Sequence, residues 1–296
     1  MSYPPDLADA AAEALDRTMS GSDLAPGQVE DAEFAEAEFM YAFESAGPAV
    51  ARAELGVATA RRHGGVVLAM ANDPTGGYWN KTLGLGLTRP ITDAVITDVL
   101  DFYRRSGSDV AVLQIAPAAL PGDWDKLSAR HGIVAGNEWV KLLRPPSPAA
   151  PARTDLRVAP LQDTDAGQWA EVMLRGFEMP QGALATLFAG AVVNDPGFLA
   201  FGVWDGDRMV SAGNLYVRDG RAAFCGVATL PEYRGRGAQS ALFAARVEAA
   251  RAAGARVLSA ETWKPAPGAT NSSLNNMVRA GFAPVYDRVN WVWRAA

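Results

Sequence analysis

Four prolines fall within ten residues in RPPSPAAPAR, Arg144 to Arg153. Proline fixes φ and lacks a backbone donor, so this stretch belongs to neither a helix interior nor a sheet interior. It reads as an extended, semi-rigid connector. It divides a chain of 296 residues into nearly equal halves, and 49% apolar residues are enough for a core in each. The predicted division is residues 1–145, a linker over 146–153, and residues 154–296.

The halves repeat one pattern. SDVAVLQIAPAALPGDWDKLSARHGIVAGNEWVKLLR in the first corresponds to GARVLSAETWKPAPGATNSSLNNMVRAGFAPVYDRVNWVWR in the second. Each reads as an apolar strand, a Pro-Gly loop, a helix ending in Arg-x-Gly-apolar, and a final strand with Trp-Val. Upstream, ITDAVITDVLDFYRRSG and SALFAARVEAARAAG are helices ending near a glycine. WDGDR is a hairpin turn with Asp-Gly at its centre. The expected fold class is α/β, a mixed α+β sheet flanked by helices, built twice. Two unrelated units with similar punctuation are the alternative.

The most chemically specific stretch is VATLPEYRGRGAQSALF, a strand, a glycine-rich turn and a helix. The first N–H groups of a helix lack intrahelical partners and the dipole adds positive potential there, so the arrangement suits a diphosphate. It lacks the Gly-Lys-Ser/Thr of a Walker loop and is not a dinucleotide G-x-G-x-x-G. The matching stretch of the first half, LGLTRPITDAV, has no such cradle.

This stretch resembles the acyl-CoA-binding motif of the GNAT N-acetyltransferase superfamily. Arg234 and Gly237 match its pattern, and Gln239 stands where a small residue is expected. The resemblance covers roughly residues 155 to 293. It implies two GNAT-like acyl-CoA N-acyltransferase domains in tandem, the N-terminal one a degenerate copy without cofactor, and acetyl-CoA (coenzyme A) as acyl donor. Val227, Ala228 and Thr229 would offer backbone groups to the pantetheine arm and thioester. Arg234, Gly235, Arg236, Gly237, Ala238, Gln239 and Ser240 would wrap the pyrophosphate. Ser273 and Asn276 would lie along coenzyme A, although Asn276 reads equally well as an exposed helix position.

Direct acyl transfer to an amine needs a base. In VLSAET, Glu261 sits in a strand where an apolar residue would be cheaper, and many family members carry a glutamate there as base. A structural carboxylate paired with an arginine is the other reading. Gln114, at the corresponding place in the first half, cannot act as a base. Met277 stands where the family often has a tyrosine acid, with Tyr216 and Tyr286 as substitutes. Phe177, Glu178, Met179 and Trp263 are candidates for the acceptor pocket.

A single cysteine, Cys225, and two histidines leave no metal centre, and none is expected. The formal net charge of −6 argues against nucleic acid as a partner. No run reaches the ~18 apolar residues of a membrane span. The opening residues, MSYPPDLADAAAEALDRTM, lack the basic start and apolar core of a signal peptide. The expectation is a cytoplasmic acetyl-CoA-dependent N-acetyltransferase acting on an amine of a small molecule, with a homo-oligomer left open. A non-catalytic acyl-CoA sensor is the alternative.

Overall fold

A computed structural model describes residues 27–295. The signal-peptide reading of the first residues lies outside that range. In the first half, α1 (Gln28–Ala46) and α2 (Ala49–Leu55) precede a hairpin of β1 (Val57–Arg62) and β2 (Gly65–Met70). Then come β3 (Lys81–Leu83), α3 (Asp93–Arg105), β4 (Val110–Gln114), α4 (Trp124–Arg130) and β5 (Val134–Arg144). The second half runs β6 (Arg157–Pro160), α5 (Ala166–Gly176), α6 (Ala183–Asn194), β7 (Phe201–Asp205) and β8 (Arg208–Gly213). It continues with β9 (Tyr216–Arg218), β10 (Arg221–Ala223), β11 (Val227–Thr229), α7 (Ala238–Ala252), β12 (Val257–Trp263), α8 (Ser272–Arg279) and β13 (Ala283–Arg294). Among the described residues no helix is long and apolar enough to cross a membrane.

The strands form two sheets, ordered β1-β2-β3-β4-β13-β5-β12-β10-β9 and β11-β8-β7-β6. The last strand of each half has crossed into the other. β13 pairs antiparallel with β4, setting Asn290 opposite Gln114, and β5 pairs with β12, setting Lys141 opposite Glu261. β5 and β13 then pair with each other and close the seam. The linker marks the division in sequence, but the hydrogen-bonded sheet runs straight across it. The linker itself is strapped down: the Arg144 guanidinium donates to the carbonyls of Pro145, Ser147 and Pro148.

Helix α1 lies across this seam, against β2, β10 and β12 on one side and α6 on another. Phe43 stacks on Trp79 from the first half (5.5 Å) and meets Phe188 of α6 edge-on (4.7 Å), so one apolar cluster spans both halves. A fully buried aromatic contributes ~1.5–3 kcal/mol, and the shared cluster makes the two halves one packed body. The opposite face of the β4–β13 pair holds Trp291 and Trp293 against α3 and α4, with Trp291 edge-on to Trp124 at 5.2 Å. His63 stands at φ 52° in the β1–β2 turn and meets Asp98 Oδ2 at 2.9 Å.

Candidate functional site

The stretch Arg221 to Thr229 reads as one strand in the sequence, but it folds as two. β10 pairs in parallel with β12, and the last bond on that side runs from Phe224 N to Ser259 O (2.8 Å). At Gly226 the backbone turns to φ 62°, and β11 leaves for the other sheet. A β-carbon at Gly226 would lie 2.5 Å from Met173 Cε, the movable end of a flexible side chain, so it is the left-handed conformation that calls for glycine. β11 and the end of β12 therefore belong to different sheets and do not pair, so a slot without ladder hydrogen bonds separates Val227–Thr229 from Glu261–Trp263.

Backbone alternation decides what faces the slot. Gly226 O accepts from Asn214 N, and Leu230 N donates to Val210 O, so the even-numbered residues of β11 turn toward β8. The Ala228 carbonyl is also taken by Ser211 Oγ (2.7 Å). The free N–H and C=O groups of Val227 and Thr229 point the other way. Of the three backbone contacts expected from sequence, Ala228's is thus committed to the sheet.

Below the slot, the turn leads into α7. From Gly235 to Ser240, six successive backbone N–H groups have no acceptor among the described residues, and the N-cap Gly237 offers no side-chain cap. The equivalent helix of the first half, α3, is capped instead: Thr92 Oγ1 accepts from Val95 N. One helix end is open to an anion and the other is closed by its own side chain. Arg234 is exposed and makes no ion pair among the described residues. Arg236 differs from expectation. Its guanidinium is committed to Asp155 and to Asp205 (2.5 and 2.7 Å), so only its backbone N–H remains for an anion.

The two glycines do different work. Both are left-handed, at φ 82° for Gly235 and 79° for Gly237. A β-carbon at Gly235 would meet nothing, but at Gly237 it would lie 2.2 Å from the backbone oxygen of Arg153 in the linker. Gly235→Ala is expected to cost only the left-handed penalty, ~1–2 kcal/mol. Gly237→Ala is expected to cost clearly more, because a backbone carbonyl must move. Urea unfolding of the two variants measures the difference.

Gln239 and Asn276 meet across the helices: Asn276 Nδ2 donates to Gln239 Oε1 (2.6 Å), and Arg279 donates to Asn276 Oδ1. The residue that departs from the family pattern is thus tied to one read as a coenzyme A contact. Ser273 sits in the first turn of α8, its N–H on Asn271 Oδ1 (2.9 Å). Asn271 was missed in the sequence although it caps α8 and also donates to Thr262 Oγ1 and Trp263 O, fixing α8 to the end of β12. Its signal was Asn before Ser-Ser-Leu, an N-cap pattern.

Glu261 lies on the face of β12 turned to α1, at one end of a buried chain of charges. Tyr286 Oη donates to Glu33 Oε1 (2.6 Å). Arg288 forks to Glu33 Oε2 (2.6 Å) and Glu36 Oε2 (2.7 Å). Lys141 Nζ donates to Glu36 Oε2 (2.6 Å) and to Glu261 Oε2 (3.2 Å). Three carboxylates face two cations, and Glu261 is the odd one out. Arg288 and Lys141 overcome burial and hold Glu36 well below the usual carboxylate range. At Glu261 burial and then the Glu36 charge win, and its carboxyl titrates above that range. Its Oε1 has no hydrogen-bond partner among the described residues, and the side chain keeps 15% exposure. The sequence alternative, a carboxylate paired with an arginine, takes the form of a lysine contact.

Phe177, Glu178 and Met179 follow α5, whose last residue, Gly176, packs on Ala228. Phe177 is exposed with its ring beside Gly226, Met179 is half-buried, and Glu178 adopts φ 56°. Trp263, also exposed, stands across the slot at the end of β12. Met277 packs into the core between α7 and the sheet. Of its suggested substitutes, Tyr286 is spent on Glu33 and Tyr216 is buried with its hydroxyl against Arg218 (3.3 Å). Cys225 is a buried free thiol whose pKa burial pushes up.

Residues 167–271 match the acetyltransferase (GNAT) family. No curated protein matches the chain. Among solved structures, a GCN5-related N-acetyltransferase from Kribbella flavida is similar over 92% of this chain and 97% of its own, at 15% identity and a TM-score of 0.61. A tandem GNAT protein from the clavulanic acid biosynthesis pathway is similar over 94% and 97%, at 15% identity and a TM-score of 0.55. A GCN5-related N-acetyltransferase from Sphaerobacter thermophilus covers 80% and 76%, at 14% identity and a TM-score of 0.55. At these identities the likeness is one of fold, and it extends across both halves.

Proposed function

We propose, from the premise that residues 167–271 form a domain of the acetyltransferase (GNAT) family, that this protein moves an acetyl group from acetyl-CoA to an amine of a small molecule. The observation that carries this reading is the slot. It joins an open run of N–H groups from Gly235 to Ser240, the free backbone groups of Val227 and Thr229, and a half-buried carboxylate with one unbonded oxygen. The residues fit coenzyme A on these grounds: unmet donors lie where a diphosphate would rest, and a strand edge is exposed where an amide-bearing arm would run.

Acetyl-CoA supplies the acetyl group as a thioester. The chain's own residues do the rest. Val227 and Thr229 orient what lies along β11. Glu261, ionised, takes the proton of the incoming amine at Oε1 while Lys141 holds Oε2. The leaving thiolate is stable enough that the lack of a tyrosine at Met277 is tolerable. The second half carries this site alone, because the first half has Gln114 in place of a base and a capped helix in place of a cradle.

A thiol-release assay with acetyl-CoA against a panel of small amines tests the reading. Coenzyme A release is expected to depend on the amine. Binding of coenzyme A with no amine-dependent release would favour the acyl-CoA sensor.

A further inference from the structure

On the same face of the sheet as Glu261, a pocket of about 230 Å³ opens over β4, β13 and β5. It is built from both halves and lies on the far side of the seam from the slot. Its wall includes Tyr78, Lys81, Trp139, Asn290 and Arg294, and none of the lining residues is acidic. Lys81 is 3% exposed. Its Nζ sits 4.0 Å from the centre of the Tyr78 ring and 5.3 Å from that of Trp139. Among the described residues it has no hydrogen-bond acceptor and no ion pair.

An ammonium carries three donors, and aromatic faces satisfy none of them. A largely buried ammonium that makes no hydrogen bond is costly unless something outside the fold supplies the acceptor. Glu36 and Glu44 both feel the Lys81 charge, but neither comes within ion-pair distance of it. Glu36 is already shared between Lys141 and Arg288. Glu44 is buried with both oxygens unbonded, and burial outweighs the Lys81 charge and pushes its pKa up.

Glu261 does not line the pocket, but one wall residue, Trp139, lies on the strand next to it. In the β5–β12 ladder Trp139 is opposite Trp263 and Lys141 is opposite Glu261, so Trp139 is the diagonal neighbour of Glu261, roughly 7–8 Å away. Gln114, which also lines the pocket, lies 3.2 Å from Glu36 Oε1 and from Arg288 Nη2 with its amide nitrogen turned to Glu36.

Resting on the transferase reading, we propose that the acceptor is a small amine that also carries a carboxylate. The carboxylate sits against Lys81 with Arg294 at the rim, the carbon chain lies along Trp139, and the amine points to Glu261. The degenerate first half would then supply specificity.

Matched pairs test this: β-alanine against β-alaninamide, and glycylglycine against glycylglycinamide. With saturating acetyl-CoA, kcat/KM for each acid is expected to exceed that for its amide by about ten- to hundredfold, the range of a charge-assisted hydrogen bond. Lys81→Met is expected to bring the ratio near unity, and Arg294→Gln to lower it partway. Because Lys81→Met also removes an unpaired buried charge, its Tm should hold or rise, whereas a structural lysine would lower it. Binding of β-alanine without acetyl-CoA, followed by calorimetry, gives a readout independent of turnover. Equal turnover of acids and amides, or a preference that survives Lys81→Met, would overturn the proposal. Lys81-dependent binding without any acetylation would instead sink the transferase reading and leave the pocket's preference standing.

Discussion

Glu261→Gln is expected to lower kcat for amine acetylation by about 10²–10⁴-fold, the usual worth of a positioned base, and to leave coenzyme A affinity unchanged. A sensor would show no such split. The pH dependence should carry the same signature. Glu261 titrates above the ordinary carboxylate range because burial and Glu36 outweigh Lys141 and Arg288. A base works only when ionised, so kcat/KM should fall as pH drops through that raised value, on an acid limb displaced upward from that of an exposed glutamate. Lys141 is one of the groups that lower it, so Lys141→Met is expected to move the limb to still higher pH.

The sign for stability is opposite. A carboxyl whose pKa is raised by folding costs stability above its unfolded value, and the cost is complete above its folded value. Glu261→Gln removes that cost and should leave Tm at neutral pH equal or higher. A variant that is both inactive and markedly unstable would point to Glu261 as a structural partner of Lys141 and count against its role as base.

The largest loss of stability is expected at Arg288→Met. Arg288 is buried and forks to Glu33 and Glu36 at 2.6 and 2.7 Å. Removing it leaves Glu33 with only Tyr286, and Glu36 with only Lys141 and the Gln114 amide, beneath α1. Breaking a buried pair by deleting one partner costs about 3–5 kcal/mol. For a chain of this size that is on the order of 10 °C in Tm. Arg288→Lys should rescue little, since one ammonium cannot reproduce the fork. Adding Glu33→Gln and Glu36→Gln to Arg288→Met should recover part of the loss, because the uncompensated charges are then gone. Differential scanning calorimetry reads all three. A loss below ~1 kcal/mol for Arg288→Met would show that the seam does not depend on these charges.

Much of the local structure was legible from residues alone. The strand–loop–helix–strand pattern appears as β4, α4 and β5 and again as β12, α8 and β13, because period-two and helical spacing are local properties. The glycine-arginine turn announced an open helix start, and Gln114 and Glu261 announced which half holds a carboxylate. The break at Gly226 was written in a glycine inside a strand pattern, a signal that admits a bulge without saying where the chain goes next.

Partnership was decided elsewhere. Nothing in NEWVKLLR or VNWVWR states that each strand joins the sheet of the other half, because alternation dictates a face and not a neighbour. Glu33 and Glu36 are buried acids on α1, and only the strand exchange puts Lys141 and Arg288 beneath them. Arg236 looks like a phosphate ligand until folding brings Asp155 and Asp205 to it, from positions 81 and 31 residues away. The sequence by itself determined the kind of elements, the cradle and the candidate base. The tertiary structure decided the charge around that base and the pocket beside it, since both arise from side chains that only long-range packing brings together.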